Sequence, residues 1–179
     1  MKFSTVAAAL FSTLAAAENV VTFESKDSIS RTVVFTPTEG CESVNSVTVA
    51  GGATVDVTIP EKWIGNWYAV SEGSHITEGM LGEVTFQGWN DLTYFDVSAI
   101  VNASDHDGVK EMWPASSGTP VSGCTTFPCN NAYYLPDDIQ TKSTTETHLI
   151  CTLGGNGSYK RSEETEESLP HKYVTGRRM

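Results

Sequence analysis

The sequence predicts an all-β protein, an antiparallel β-sandwich of two sheets held by disulfides, over residues 18–153. Short runs rich in Val, Phe, Thr and Tyr recur at intervals of roughly 8 to 12 residues, as they do in sandwiches and barrels. Gly, Pro, Asn, Asp and Ser separate these runs, and no long run has the 3.6-residue period of a helix. Four cysteines follow an N-terminus that is typical of an exported chain, a setting that favours disulfides.

The two ends of the chain are predicted to lie outside this domain. In residues 1–17, Lys2 precedes an apolar run and three alanines end the segment, which is the layout of a secretory signal peptide. The run is too short to span a bilayer, so we expect a secreted, extracellular protein without a membrane anchor. Residues 154–179 are rich in Gly and Glu and poor in apolar side chains, which predicts a disordered polar tail.

Strands are predicted in order along the domain. NVVTFES and RTVVFTP are rich in β-branched and aromatic residues and give the first two. SVTVAGGATVDVTIP alternates strictly on both sides of Gly51-Gly52, which is the signal for a β-hairpin. Its apolar positions are Val47 and Val49 in one arm, and Val55, Val57 and Ile59 in the other. Further candidates are NWYAVSEG, GEVTFQGW, TYFDVSAIV, NAYYLP and THLICTL. SDHDGVKEMW is expected to form one or two helical turns, capped by Asp105 or Asp107.

The cysteines are Cys41, Cys124, Cys129 and Cys151. Their even number in an exported domain predicts two disulfides. Zinc is disfavoured, because no CxxC pair occurs and Cys124 and Cys129 have no matching Cys/His pair. Three pairings are open on the sequence alone.

Charge narrows the choice of partner. Between Glu18 and Leu153 there are 18 Asp and Glu residues against five Lys and Arg residues. A protein that holds phosphates by charge needs the opposite balance, so nucleic acids and anionic membranes are excluded as expected partners. Neutral sugars, cationic molecules and metal ions remain as candidate partners. Solubility alone would also explain the negative charge.

Several segments together resemble the thaumatin-like proteins. The first two strands and the glycine-turn segment, then GEVTF, YFDVSAIVN and EMWPASSGTPVSGCTTFPCNNAYY, are similar to successive parts of that family. The resemblance covers roughly residues 20–154 and implies a reduced thaumatin-like sandwich. The region is also similar to small fungal secreted thaumatin-like antigens, some of which carry a deoxyribonuclease-type label.

The resemblance also implies a site and a disulfide pattern. Glu83 matches the glutamate of the family's acidic cleft and Asp96 matches its first aspartate, whereas Val101 stands where the second aspartate is expected. The matching cleft implies glucan binding or weak glucanase action. The matching cysteines imply that Cys124 and Cys129 each pair with Cys41 or Cys151. A local Cys124–Cys129 bridge with Cys41–Cys151 is the alternative.

Other side chains are weaker candidates. Trp63 and Trp67, near a turn expected at Gly65, are the aromatic residues that we expect to be exposed for stacking on sugar rings. Asp105, Asp107 and Glu111 are candidates for a loose cation site, although a polar turn explains them better. Asn102 and Asn156 lie in N-glycosylation sequons. No cofactor is expected.

The sequence thus predicts a monomeric, non-enzymatic binding protein of the cell surface or host interface. Its expected partners are a cell-wall polysaccharide, glucan first, or a host surface protein, in the role of an effector or antigen. One alternative is a weak β-glucan hydrolase that uses Glu83 and Asp96, which would have to flank the scissile bond. Another is a structural antigen without a small ligand. Deoxyribonuclease activity is not expected, because the charge is wrong and no histidine lies in a catalytic motif.

Overall fold

The computed structural model describes residues 18–155, which form eleven strands and one three-residue 3₁₀ helix. The predicted all-β sandwich of two mainly antiparallel sheets is confirmed. None of the helices in this part of the chain has the length and apolar character needed to cross a membrane. The signal-peptide prediction, the Asn156 sequon and all but the first two residues of the tail lie outside the described residues.

The strands follow one another as β1 (Asn19–Ser25), β2 (Arg31–Pro37), β3 (Val47–Val49), β4 (Thr54–Ile59), β5 (Ile64–Ser71), β6 (Leu81–Thr85), β7 (Thr93–Ser98), β8 (Val109–Pro114), β9 (Ser122–Gly123), β10 (Lys142–Thr144) and β11 (His148–Leu153). One sheet has five strands in the order β4-β1-β11-β8-β9. The other has six, in the order β10-β7-β6-β5-β2-β3. The described strand pairs are antiparallel except β1 with β11, which run parallel in the middle of the five-stranded sheet.

The core between the sheets is built around aromatic side chains. Phe23 from one sheet packs edge-to-face on Phe35 and Trp67 from the other, at centroid distances of 5.9 and 5.6 Å. Trp63 packs edge-to-face on Phe35 at 6.4 Å. Such contacts add to the apolar burial that stabilises the sandwich.

The expectation that Trp63 and Trp67 are exposed is therefore wrong. Their side chains are 1% and 0% exposed. Both indole N–H groups have internal acceptors: Trp63 donates to the Glu42 carbonyl and Trp67 to the Cys151 sulfur. Gly65 permits this, since a Cβ there would lie 2.6 Å from the Trp63 ring. The glycine marks close packing over an indole, not an exposed turn.

The predicted hairpin around Gly51-Gly52 is also wrong, although both of its arms are strands. β3 pairs with β2 in the six-stranded sheet, whereas β4 pairs with β1 in the five-stranded sheet. The glycine turn therefore crosses from one sheet to the other. Gly51 is required by close approach, because a Cβ would lie 2.2 Å from the Ser28 backbone.

The cysteines form one disulfide rather than two. Cys124 is bonded to Cys129, as in the local alternative, and Cys41 and Cys151 are free thiols. The long-range pairing implied by the resemblance is wrong, and so is the second bridge. The two free sulfurs have separate partners: Cys41 accepts the Ile64 N–H, and Cys151 accepts the Trp67 indole N–H in the core.

The expected helical turns around Asp105 are replaced by a bend and a strand. The Asp105 carboxylate accepts the backbone N–H groups of Met80, Asp107 and Gly108 at 2.8 to 3.0 Å. These bonds fix the bend that leads into β8. The strand predicted at NAYYLP is reduced to a single bridge between Tyr133 and Ser98.

Candidate functional site

A row of polar side chains crosses the outer face of the six-stranded sheet. Register pairs Thr36 with Asn66, Asn66 with Glu83, and Glu83 with Asp96. The register of β10 on β7 continues the row to Thr141, whose hydroxyl donates to the Asp96 carboxylate at 3.3 Å. With strands ~4.8 Å apart, the row is about 19 Å long. Glu83 and Asp96 are therefore direct cross-strand neighbours that share one face.

This row forms the floor of an open cleft of about 390 Å³. On one side the neighbouring register positions carry Ile64, Thr85 and Tyr94, which also line the cleft. On the other side, the same face of the sheet continues as a small apolar cluster. Its members are Val34, Tyr68, Val70 and Leu81. The cleft is thus a polar groove between two apolar borders, open to ligands from the solvent side.

Asp96 is buried, with 9% of its surface exposed, and one of its oxygens has an unusual environment. Within residues 18–155, Asp96 Oδ1 is the buried side-chain oxygen or nitrogen that no donor reaches. Its cross-strand neighbour is another carboxylic acid, Glu83, whose charge acts on Asp96. Two ionised carboxylates side by side repel each other, which favours keeping one proton on the pair.

Burial raises the pKa of Asp96 to about 7, and the charge of Glu83 acts in the same direction. The Thr141 hydrogen bond and the nearby Lys142 charge oppose this rise without cancelling it. The Glu83–Asp96 pair therefore carries one proton in weakly acidic solution. Its net charge there is about −1 rather than −2.

A chain of hydroxyl groups fixes the other Asp96 oxygen. Thr141 Oγ1 lies 2.8 Å from the Tyr133 hydroxyl and 3.3 Å from Asp96 Oδ2. Because Asp96 Oδ2 accepts, Thr141 must donate to it, and the Tyr133 hydroxyl then donates to Thr141. The loop between β9 and β10 in this way holds Asp96 Oδ2 in place, while Oδ1 stays without a donor.

The weaker candidates lie apart from the cleft. Asp105 is occupied by the three backbone N–H groups of its own bend. Glu111 lies on β8 in the opposite sheet. Nowhere between residues 18 and 155 do three or more His, Cys, Asp or Glu side chains come together in a group that could hold a metal ion. Asn102 is half-buried, and its side-chain oxygen accepts hydrogen bonds from Ser104.

The most exposed tryptophan of the described residues is one that sequence reasoning did not single out. Trp89, in the turn between β6 and β7, is 76% exposed. Its carbonyl accepts the hydroxyl of Tyr94, a cleft residue, at 3.2 Å. A signal was present, because Trp89 follows a glycine and precedes Asn90-Asp91, and a turn offers a large ring no core to enter. No sequence pattern marks Asn66 and Thr141 as site residues, because only the strand register brings them into the row.

Comparison with known proteins gives a relative by sequence and a match by structure. No protein-family model matches the chain. The antigenic protein SchS21 of Stachybotrys chartarum is 54% identical over 138 residues, which are 77% of this chain and 96% of that protein. The crystal structure of the protein elicitor MoHrip2 from Magnaporthe oryzae matches with a TM-score of 0.51 at 16% identity. That match covers 78% of this chain and all of the other, and it shows a shared fold. On its sequence identity, the chain belongs to the same family as the fungal antigenic protein SchS21.

Proposed function

We propose that this protein is an extracellular host-interaction protein that binds a cell-wall polysaccharide in the cleft, without cleaving it. The observation that carries the proposal is the polar row Thr36–Asn66–Glu83–Asp96–Thr141 with apolar borders on both sides. A sugar chain has the matching chemistry, because its hydroxyls need donors and acceptors while its C–H faces need apolar contact.

The shape of the site supports an extended ligand. The row is about 19 Å long, and the cleft volume of about 390 Å³ is within the range of ligand sites. Trp89 adds an exposed ring near the Tyr94 side of the cleft. We infer that this ring stacks on one sugar unit while the row binds the hydroxyls of the others.

The contact between Glu83 and Asp96 favours binding over hydrolysis. Glycosidases hold two carboxyl groups on either side of the scissile bond, about 5 to 9.5 Å apart. Here the two groups are direct cross-strand neighbours on one face of the sheet, so both approach a bound chain from the same side. Weak hydrolysis remains the second candidate, because an aspartic acid with a raised pKa is suited to donate a proton.

The host-interaction part of the proposal comes from the relatives. The family member SchS21 is described as an antigenic protein, and the structural neighbour MoHrip2 as a protein elicitor. Both names describe contact with another organism. The secretory signal predicted at residues 1–17 would bring this chain to the same place.

Retention on insoluble polysaccharides tests the proposal. The purified protein is mixed with insoluble β-glucan or chitin, and the bound fraction and the released reducing ends are measured together. We expect retention without sugar release, and we expect retention on β-glucan to survive Glu83→Gln with Asp96→Asn, because amides still bond hydroxyls. Asn66→Ala should weaken it, since it removes a polar group from the middle of the row.

Two outcomes would contradict the proposal. Reducing ends that appear with wild type and vanish in Glu83→Gln would establish the hydrolase instead. A protein that binds no polysaccharide in the panel would leave a structural antigen as the better description.

A further inference from the structure

The proposed polysaccharide site has a charge that a neutral glycan does not explain. Asp96 lines the cleft, its Oδ1 is buried without a hydrogen-bond donor, and Glu83 is its cross-strand neighbour. A neutral sugar hydroxyl can donate to one carboxylate oxygen, but it brings no positive charge to offset the repulsion that arises when both groups ionise. The pair is therefore built for a ligand group that is positive or that supplies several donors.

The Lys and Arg side chains of the described domain do not supply this positive charge. Lys26 pairs with Glu24, Arg31 with Asp27, and Lys62 with Glu61. Lys110 is buried, with its ammonium 5.3 Å from the Phe127 ring centroid. Lys142 on β10 is the remaining one between residues 18 and 155, and its charge leaves the Asp96–Glu83 repulsion largely in place.

We propose that the cleft prefers a cationic glycan, a polymer of amino sugars with free amines such as deacetylated chitin, whose ammonium group binds between Glu83 and Asp96. The ammonium takes the place of the proton that the pair carries, which passes to the solvent. An ammonium has three donors, enough for both carboxyl groups, and Asn66 and Thr36 stay available for ring hydroxyls. This inference rests on the proposed function and specifies its ligand.

Other cations fit less well. A divalent metal would find only two carboxylates in the row, and calcium requires six to eight oxygens. A basic peptide would use the carboxylates, but it has no ring hydroxyls for the row and no sugar face for Trp89. The groups that face Asp96 are Glu83 on β6, Lys142 on β10 and, through Thr141, the Tyr133 hydroxyl. Glu83 is thus the negative neighbour whose repulsion a bound ammonium would relieve.

Calorimetry with three oligosaccharides of equal length tests this inference. The full chain is titrated at about pH 6 with oligomers of glucosamine, N-acetylglucosamine and β-linked glucose, in two buffers of different ionisation enthalpy. We expect the glucosamine oligomer to bind about tenfold more tightly than the other two, and to release up to about one proton per site.

Three variants assign the effect to the pair. Asp96→Asn and Glu83→Gln should each abolish the proton release and most of the preference, while binding of the glucose oligomer persists. Glu72→Gln is the matched control, because it removes one exposed charge just after β5, at the end of that strand far from the cleft. It should leave affinity and proton release unchanged.

The outcomes separate the two proposals. Equal affinity for the three oligomers would overturn the preference for amines but leave polysaccharide binding intact. Absence of binding to any oligomer would overturn both. Tight binding of an arginine-rich peptide, with no binding of the glucosamine oligomer, would overturn the glycan assignment in favour of a protein partner.

Discussion

Arg31 and Asp27 form a two-point ion pair in which each terminal guanidinium nitrogen lies 2.7 Å from a carboxylate oxygen. The Arg31 side chain is fully buried, and its Nε donates to the Asp107 carbonyl at 2.6 Å. Asp27 also accepts the Gly155 N–H at 3.1 Å. The pair joins the segment after β1, the bend before β8 and the segment after β11, three regions far apart in sequence.

Arg31→Ala should destabilise the domain strongly. It leaves the buried Asp27 carboxylate without its partner, a change that typically costs about 3 to 5 kcal/mol in unfolding free energy. Denaturation by urea, followed by tryptophan fluorescence, measures the loss. Glu61→Ala is the control, since its ion pair with Lys62 is exposed and should contribute less than about 1 kcal/mol. Similar losses in both variants would contradict the structural role of the buried pair.

The stability of the wild type should fall as pH rises from about 4 to 7. Burial and the Glu83 charge raise the folded-state pKa of Asp96 to about 7, above the unfolded value of about 3.9, so the folded state holds the extra proton in this interval. Ionising the pair then costs on the order of 1 to 3 kcal/mol. Melting temperatures across this range should decline in wild type and stay flatter in Asp96→Asn, whose amide cannot ionise. Parallel curves for the two proteins would refute the raised pKa of Asp96.

Trp67 and Trp89 should give opposite results when changed to alanine. Trp67 is fully buried against Phe23 and Phe35, so its loss should cost about 3 to 5 kcal/mol of stability. Trp89→Ala should leave the melting curve unchanged and weaken retention on β-glucan about tenfold, or ~1.4 kcal/mol. Unchanged retention in Trp89→Ala would remove this ring from the proposed site.

The two free thiols should differ sharply in reactivity. Cys41 is half-buried at the edge of the core, whereas Cys151 is fully buried and burial raises its pKa to about 12. In native protein, iodoacetamide should label Cys41 slowly and Cys151 not at all, and both should react once the chain is unfolded in denaturant. Peptide mapping without reduction should find Cys124 linked to Cys129. A peptide joining Cys41 to Cys151 would contradict the structure.

The alternation of apolar residues predicted the faces of the strands better than their partners. In the segment around Gly51-Gly52 both arms are strands, yet the arms join different sheets. A period of two says which side of a strand is buried, but the neighbour is chosen by the packing of the whole sandwich. The pairing of cysteines failed for the same reason, because it depends on which strands approach each other in space.

The candidate site was predictable in part. Glu83 and Asp96 could be assigned to neighbouring strands, and the register makes them direct neighbours. The raised pKa of Asp96 could not be foreseen, since it depends on the burial of that side chain in the folded sandwich. Trp63 and Trp67 were assigned to the surface because a glycine lay between them, but that glycine makes room for the Trp63 ring. The sequence alone does not show whether a glycine forms an exposed turn or makes room for a buried ring.

The parallel contact between β1 and β11 has a consequence for the order of assembly. The two strands lie more than a hundred residues apart along the chain, yet they are neighbours in the middle of the five-stranded sheet. A nascent chain that lacks its final strand would leave β1 with an open edge, ready to pair with another molecule. Export in an unfolded form would postpone this hazard until the entire domain is present, after which the sheet can close within a single molecule.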